Sequence, residues 1–241
     1  MRSRLRLAAA IVTLAASPYV ANRASALGMS PMYMELSAGG SGSSTQFQVS
    51  NASTASAAVE IKIETLSYDE AGNRRVAPAG GNLLVVPPVA AVAPGSTQTF
   101  RVQWVGGPDI PKSLTFLVTA RQLPVKLPND GRSRLQVVQA FGALLTVAPL
   151  KGASDLRLVG SQPARAAGGR PAVAVTVENP GNAHALIANA TLRVGGQTLS
   201  PENMRSLVGI GIVEPGTRRR FIVPLDAPAS DAVTIDYRRP L

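Results

Sequence analysis

The sequence predicts an all-β chain folded as two sandwich domains of similar plan. Helical periodicity is nearly absent, while Val, Ala, Thr and Leu alternate with polar residues between clusters of Gly, Pro, Asn and Ser. A turn-and-strand block also occurs twice. Pro94-Gly95 leads to Phe100 and Val102, and Pro215-Gly216 leads to Phe221 and Val223, with the same spacing. Alternation puts each Phe–Val pair on one strand face. Upstream of each block lies another echo, Gln48-Val49-Ser50-Asn51 and Thr176-Val177-Glu178-Asn179. The Pro-Gly copies are 121 residues apart (215 − 94) and the Asn copies 128 apart (179 − 51), so the repeating unit is a domain.

In chain order, residues 1–26 read as an export signal. Arg2, Arg4 and Arg6 precede an apolar run from Leu7 to Ala16 that is too short to span a bilayer. Ala24-Ser25-Ala26 supplies the small-x-small pattern for cleavage, leaving a mature chain that starts at Leu27. No later segment has the apolar length of a membrane span. Strands are expected in the first domain, residues 27–149, at 32–37, 45–50, 57–66, 83–86, 98–105 and 113–123. Phe47 with Val49, then Phe100, Val102 and Trp104, then Leu114, Phe116, Val118 and Ala120 form the expected inward faces. Six short strands and a seventh predict an immunoglobulin-like sandwich.

That seventh strand is unusually long. Residues 134–148 run without a Gly-Pro break, well past the usual ~5–6 residues of a strand. Leu135, Val137, Phe141, Ala143, Leu145 and Val147 share one face, with Gln139 as the polar exception and Gly142 interrupting the side-chain row. A Pro-, Asn- and Gly-bearing loop, 124–133, precedes it, and Pro149 ends it. A short hinge, 150–154, opens the second domain, residues 150–241. There the plan repeats more loosely, with strands expected at 172–179, 185–194, 207–213, 220–224 and 234–237.

Composition removes several functions. There is no cysteine, so a hydrophobic core and not disulfides must hold this exported chain, and thiol or cysteine–metal chemistry is absent. The net charge of +10 falls to +6 once the four arginines of residues 1–26 are removed with no acid. Arginines are scattered and aromatic residues scarce, which argues against nucleic-acid binding. The densest cluster, Arg218-Arg219-Arg220, is expected as a solvated strand edge. A basic surface would still help capture an acidic protein partner.

Catalysis finds no compact set of groups. His184 is the only histidine and follows a turn, where a structural or surface role is expected. Asp69 and Glu70 lie in a hairpin turn, and Asp226, Asp231 and Asp236 are scattered. Gly39-Gly40 and Gly168-Gly169 lack the spacing and following helix of a phosphate loop. Asn51-Ala52-Ser53 and Asn189-Ala190-Thr191 match the glycosylation sequon, which matters only in a eukaryotic secretory route. No enzyme, cofactor or metal site is expected.

Residues 83–102, LLVVPPVAAVAPGSTQTFRV, resemble the signature of the PapD-like periplasmic chaperones of the chaperone–usher pilus pathway. Pro87-Pro88, the short apolar strand 89–92, Pro94-Gly95 and Gln98-Thr99-Phe100-Arg101-Val102 follow in that family's order. Ser113-Leu114-Thr115-Phe116 and Gln122-Leu123-Pro124 look like the family's F1 strand, and residues 134–149 like its long G1 strand. The likeness covers the first domain well and the second in layout.

The resemblance implies a periplasmic protein that stabilises pilus or fimbrial subunits by lending them its G1 strand and delivers them to an outer-membrane usher. Strand lending supplies main-chain hydrogen bonds and alternate side chains to the subunit's groove. The expected lent face is Leu135, Val137, Phe141 and Leu145, and the same strand offers the free chain a route to self-association. A long core strand with a bulge at Gly142 is the structural alternative for residues 134–148. Better-known family members anchor the subunit's terminal carboxylate with an Arg on the first strand and a Lys on G1. Here residues 30–36 carry no Arg, and Ala143 and Leu144 stand in the G1 neighbourhood. Arg121, on the strand face opposite Phe116, is the substitute candidate, expected in the cleft between the domains. An exported two-domain immunoglobulin-like adhesin or pilus subunit is the competing reading, although such a protein should carry its donor strand as an N-terminal extension.

Overall fold

The structure, a computed structural model, describes residues 27–124, 137–228 and 232–238. The expected export signal, most of the loop before the long strand and Leu135 therefore lie outside the described residues. The first domain contains β1 (Leu27–Ser30), β2 (Tyr33–Ser37), β3 (Ser44–Asn51), β4 (Ala57–Tyr68), β5 (Arg74–Pro78), β6 (Leu83–Val86), β7 (Val89–Val92), β8 (Thr97–Trp104), β9 (Leu114–Gln122) and β10 (Ala140–Ala148). One sheet runs β1-β3-β8-β6, and the other runs β2-β10-β9-β4-β5 with β7 also on β4. The chain changes sheets between β1 and β2, so the opening strand is split across the sandwich. Phe47 stacks on Phe100 with centroids 5.3 Å apart. Val49, Val102 and Trp104 on that side meet Val59, Phe116, Val118, Ala143 and Leu145 on the other. The inward faces expected for β3, β8 and β9 are buried, except Leu114, which is half-buried.

The second domain contains β11 (Arg157–Arg165), β12 (Pro171–Glu178), β13 (Ala185–Leu186), β14 (Ala190–Val194), β15 (Gln197–Leu199), α1 (Pro201–Val208), β16 (Ile212–Val213), β17 (Arg218–Pro224) and β18 (Val233–Tyr237). They form the sheets β11-β12-β17, β13-β16 and β15-β14-β18 around a separate core of Val175, Val177, Ile187, Leu192, Met204 and Val223. Here the structure departs from expectation. Residues 207–213 are not one strand, because α1 runs through Val208 and only Ile212–Val213 pairs. The Ser200 hydroxyl accepts from the Asn203 N–H, Asn203 caps back, and Pro201 occupies the first turn, a complete helix-start signal. Residues 185–194 are broken by a 3-10 turn over Ile187–Asn189, and β11 is an additional edge strand.

The repeated sequence blocks perform repeated jobs. The Asn51 amide donates to the carbonyls of Ala55 at 2.8 Å and Val92 at 2.9 Å, and the Asn179 amide to those of Ala183 at 2.8 Å and Val213 at 3.0 Å. Each Asn carbonyl accepts the N–H two residues on, from Ser53 and Gly181. Val92 and Val213 each stand two residues before their Pro-Gly turn. Asn51 is only 1% exposed and its amide is fully used, so it is a loop clamp and not a glycosylation acceptor.

Among the described residues the domains meet at two places. His184 receives its environment from the first domain, as described below, and the Ser113 N–H donates to the Asn182 carbonyl at 2.9 Å. On the other side the β4–β5 hairpin docks on the second domain. The Arg220 N–H donates to the Glu70 carbonyl at 2.7 Å, and the Tyr68 N–H to Glu214 Oε2 at 3.1 Å. Arg219 corrects the expected solvated edge. It is buried, with its guanidinium 4.2 Å from the Tyr68 ring centroid and 4.8 Å from that of Phe221, and it donates to the Ile212 carbonyl at 2.7 Å. Strand alternation turns Arg219 inward between its two exposed neighbours. Burial lowers its pKa, and Glu214, also partly buried, has its carboxyl pushed up by desolvation.

Candidate functional site

The candidate site is the first half of β10 and the residues leading into it. β10 pairs antiparallel with β9 along its whole length, from Ala140↔Arg121 to Val147↔Leu114, without a bulge at Gly142. On its other edge it pairs in parallel with β2, but only from Leu144↔Tyr33 to Ala148↔Ser37. β2 begins there because the chain upstream of it has crossed to the other sheet. The lane beside residues 140–143 consequently holds no registered strand among the described residues. The Leu144 N–H points into that lane, donating to the Met32 carbonyl at 2.9 Å. By alternation, the main-chain groups of Ala140 and Gly142 point the same way. The lane is an open edge, which can take an added strand.

Side chains change character along the strand. Ala143, Leu145 and Val147 have no exposed surface and belong to the first core. Phe141 is half-buried and packs against the rim of that core. Val137 is 70% exposed and Val138 49%. Of the four residues expected on a lent face, Val137 is accessible, Phe141 is shared with the domain's own rim, and Leu145 is enclosed. Leu145 thus drops out of the accessible face: the period of two gave its side correctly, but the opposite sheet already covers it. On the outer face Leu117 fills the space at Gly142, where an added Cβ would sit 2.9 Å from Leu117 Cδ1.

Arg121 is also placed otherwise than expected. It lies opposite Ala140, at the far end of β9 from the second domain, and its guanidinium meets Glu60 Oε2 at 2.6 Å. The second domain touches the other end of this strand pair, at Ser113 and Thr146. Six residues separate Arg121 from Thr115, about 20 Å along a strand. Arg121 is therefore an exposed cross-strand ion pair and not a group in the cleft.

The junction itself is built around His184, which is buried and takes the structural one of the two roles expected, structural or surface. Its Nε2 lies 2.8 Å from the Tyr33 hydroxyl, 3.3 Å from Thr146 Oγ1 and 3.4 Å from Glu35 Oε2. Its Nδ1 lies 3.3 Å from Ser113 Oγ, which also accepts the His184 N–H at 3.1 Å. The imidazole thereby ties β2, β10 and the segment before β9 to the second domain. The bond from His184 holds the Glu35 carboxyl below its ordinary pKa, and burial pushes the Tyr33 phenol far up. An open crevice of about 410 Å³ beside this cluster is lined by Glu35, Ala148, Leu150, His184 and Tyr237 among others. No group of three or more His, Asp or Glu suited to a metal occurs among the described residues. Nor does any helix there have the length and apolarity to cross a membrane. Tyr33, Ser113 and Thr146 carried no sequence signal as a set, because only the fold brings them to one imidazole.

Comparison with known proteins follows the same lines. Residues 31–150 match the family of pili and flagellar-assembly chaperones, PapD N-terminal domain. No curated protein matches the sequence. Among solved structures, a chain of the Salmonella enterica SafA pilin–SafB chaperone complex is similar with a TM-score of 0.55 and 17% identity, over 85% of this chain and 86% of that one. A chain of the CsuC–CsuE chaperone–tip adhesion subunit pre-assembly complex of Acinetobacter baumannii gives 0.53 and 14%, over 87% and 91%. The Pseudomonas aeruginosa CupB2 chaperone gives 0.51 and 18%, over 86% and 90%. At such identities the structural likeness speaks for the fold, and it extends over both domains. Through the family match to its first domain, the chain belongs to the PapD-like chaperones of pilus assembly.

Proposed function

We propose that this member of the PapD-like chaperones works in the periplasm, binds pilus or fimbrial subunits that lack a strand, lends them the leading part of β10, and passes them to an outer-membrane usher. The observation that carries the reading is the open lane beside residues 140–143 on a strand anchored from Leu144 onward. A subunit strand in that lane would gain main-chain hydrogen bonds worth ~0.5–1.5 kcal/mol each. Burying Val137, on the expected lent face, would add ~1.5–3 kcal/mol before association costs. Strand lending needs no nucleotide or metal.

Co-expression with exported pilin-like subunits from the same genome tests this. A one-to-one complex should copurify with the wild-type chain and be lost with Val137→Asp/Val138→Asp. Both positions are largely exposed, so that variant should keep the native fluorescence of Trp104. A folded wild-type chain that retains no subunit would refute the proposal and favour the adhesin or structural-subunit reading.

A further inference from the structure

The lent face predicted by alternation is broken by one polar residue, Gln139, and the structure gives that residue a task. Its backbone carbonyl accepts the Gln122 N–H at 2.8 Å, the last main-chain bond of the β9–β10 ladder. Its own N–H donates to Gln122 Oε1 at 3.4 Å. Its side-chain oxygen, Oε1, accepts the N–H of Leu27, the first residue of β1, at 2.9 Å. One residue thus joins three segments: the root of β10, the end of β9 and the start of a strand in the opposite sheet. Leu27 is buried, so its main-chain nitrogen, the α-amino group once the expected signal is cleaved, needs this acceptor. Before Gln139 stand the exposed Val137 and Val138; after it the chain is bound into the domain.

We infer that Gln139 is the positioning residue that fixes the register in which the strand is presented to a subunit. This rests on the strand-lending reading. A one-residue slip of β10 turns every side chain to the other face. Slipped either way, the strand would offer Leu27 a Val138 or Ala140 side chain, neither of which can accept a hydrogen bond. Only the observed register satisfies the Leu27 donor. The clamp also sets the extent of the loan, with the lent face given to the partner up to Val137 and Phe141 kept at the chaperone's own rim.

The test has two arms. In the free chain, amide exchange is measured for Gln139→Leu and Gln139→Glu. The Leu variant should speed exchange on the order of ten-fold at residues 28–30 and at Phe141, whose main chain faces β9. Val147 and the middle of β9 should stay unchanged, and the Glu variant, which keeps an acceptor at the same reach, should restore protection. In the second arm, a single cysteine is placed at Val137, in a chain that otherwise has none, and cross-linked to a co-expressed pilin-like subunit carrying one cysteine at successive strand positions. The wild-type background should cross-link at one position and its alternates, Gln139→Leu should add the intervening positions, and Gln139→Glu should revert to one set. Unchanged exchange, or a single cross-link register in Gln139→Leu, would overturn the clamp. If no background captures a subunit, the lending reading fails, and the exchange arm still decides whether Gln139 holds the strand root.

Discussion

Replacing Asn51 and Asn179 one at a time by Ala should damage the two domains unequally, and the inequality follows from where their partners lie. Asn179 donates to the carbonyls of Ala183 and Val213, both bonds fully buried. Asn51 donates to Val92 in a buried bond, but its second acceptor, Ala55, is exposed and also receives the Ser53 hydroxyl at 2.9 Å. The Val92 carbonyl keeps a second, long donor in Ser56 Oγ at 3.4 Å. A buried acceptor stripped of its donor costs ~1–3 kcal/mol. Asn179→Ala orphans two and should lose about 2–6 kcal/mol, whereas Asn51→Ala orphans one, partly rescued, and should lose about 1–3 kcal/mol. Urea unfolding followed by far-ultraviolet circular dichroism reports both domains. Fluorescence of Trp104, the sole tryptophan and buried in the first core, reports the first. Asn51→Ala should lower the Trp104 midpoint. Asn179→Ala should produce the larger loss by circular dichroism. A larger loss for Asn51→Ala, or losses below ~0.5 kcal/mol for both, as at ordinary surface sites, would refute the reasoning.

Other perturbations have definite outcomes. Arg219→Ala removes two cation–π contacts and orphans the Ile212 carbonyl, so stability should fall by roughly 2–4 kcal/mol and the domains should splay in solution scattering. Arg219→Lys should rescue only part of this, since an ammonium lacks the planar stack. Glu35 is held below its ordinary pKa by His184. Its folded pKa lies below the unfolded one, so its stabilisation is present above the ordinary carboxylate range and fades as pH falls through the folded pKa. Glu35→Gln should flatten that acid limb in a denaturation series, by a small amount because the carboxylate is half exposed. Glu214 has the opposite sign: burial raises its pKa, so its penalty is present at neutral pH and disappears as pH falls. Glu214→Gln keeps an acceptor for the Tyr68 N–H and should stabilise the chain at pH 7 while leaving its acid stability unchanged.

Local chemistry was legible in the sequence, and closure in space was not. The paired Asn and Pro-Gly blocks could be recognised because an Asx turn and a Pro-Gly turn are specified within a few residues. The inward faces of β3, β8 and most of β9 followed from a period of two. The helix α1 was missed: Ser200-Pro201 and Asn203 carry its start signal, but residues 207–213 also satisfy a strand pattern, of which tertiary pairing takes only two. Arg219 illustrates the limit in the other direction. Three consecutive arginines look solvated by composition, yet alternation forces the middle one inward, where only the docked hairpin supplies the Tyr68 ring that makes the burial tolerable.

The same limit governs β10, where Val137 and Leu145 share parity and hydrophobicity and are indistinguishable by period. What separates them is the sheet on the far side, which covers Leu145 completely and does not reach Val137. A strand meant to be lent needs both conditions. Without the enclosed half, an exposed apolar edge would have no fixed register and would pair indiscriminately. Without the uncovered half, it could offer a partner nothing. The transition must fall at a definite residue, and the chain marks it with the one polar side chain on that face. In the proposed lending Gln139 would cost the strand one apolar contact with a partner, and it ties the root to β1 and β9. If that division is correct, moving the polar residue should move the boundary. Gln139→Val with Phe141→Gln should release Leu27, extend the accessible apolar face toward the core, and weaken the first domain at the rim where Phe141 packs. Unfolding followed by Trp104 and exchange at residues 28–30 would read both effects together, and a double variant with wild-type values in both would show that the strand root is held by main-chain pairing alone.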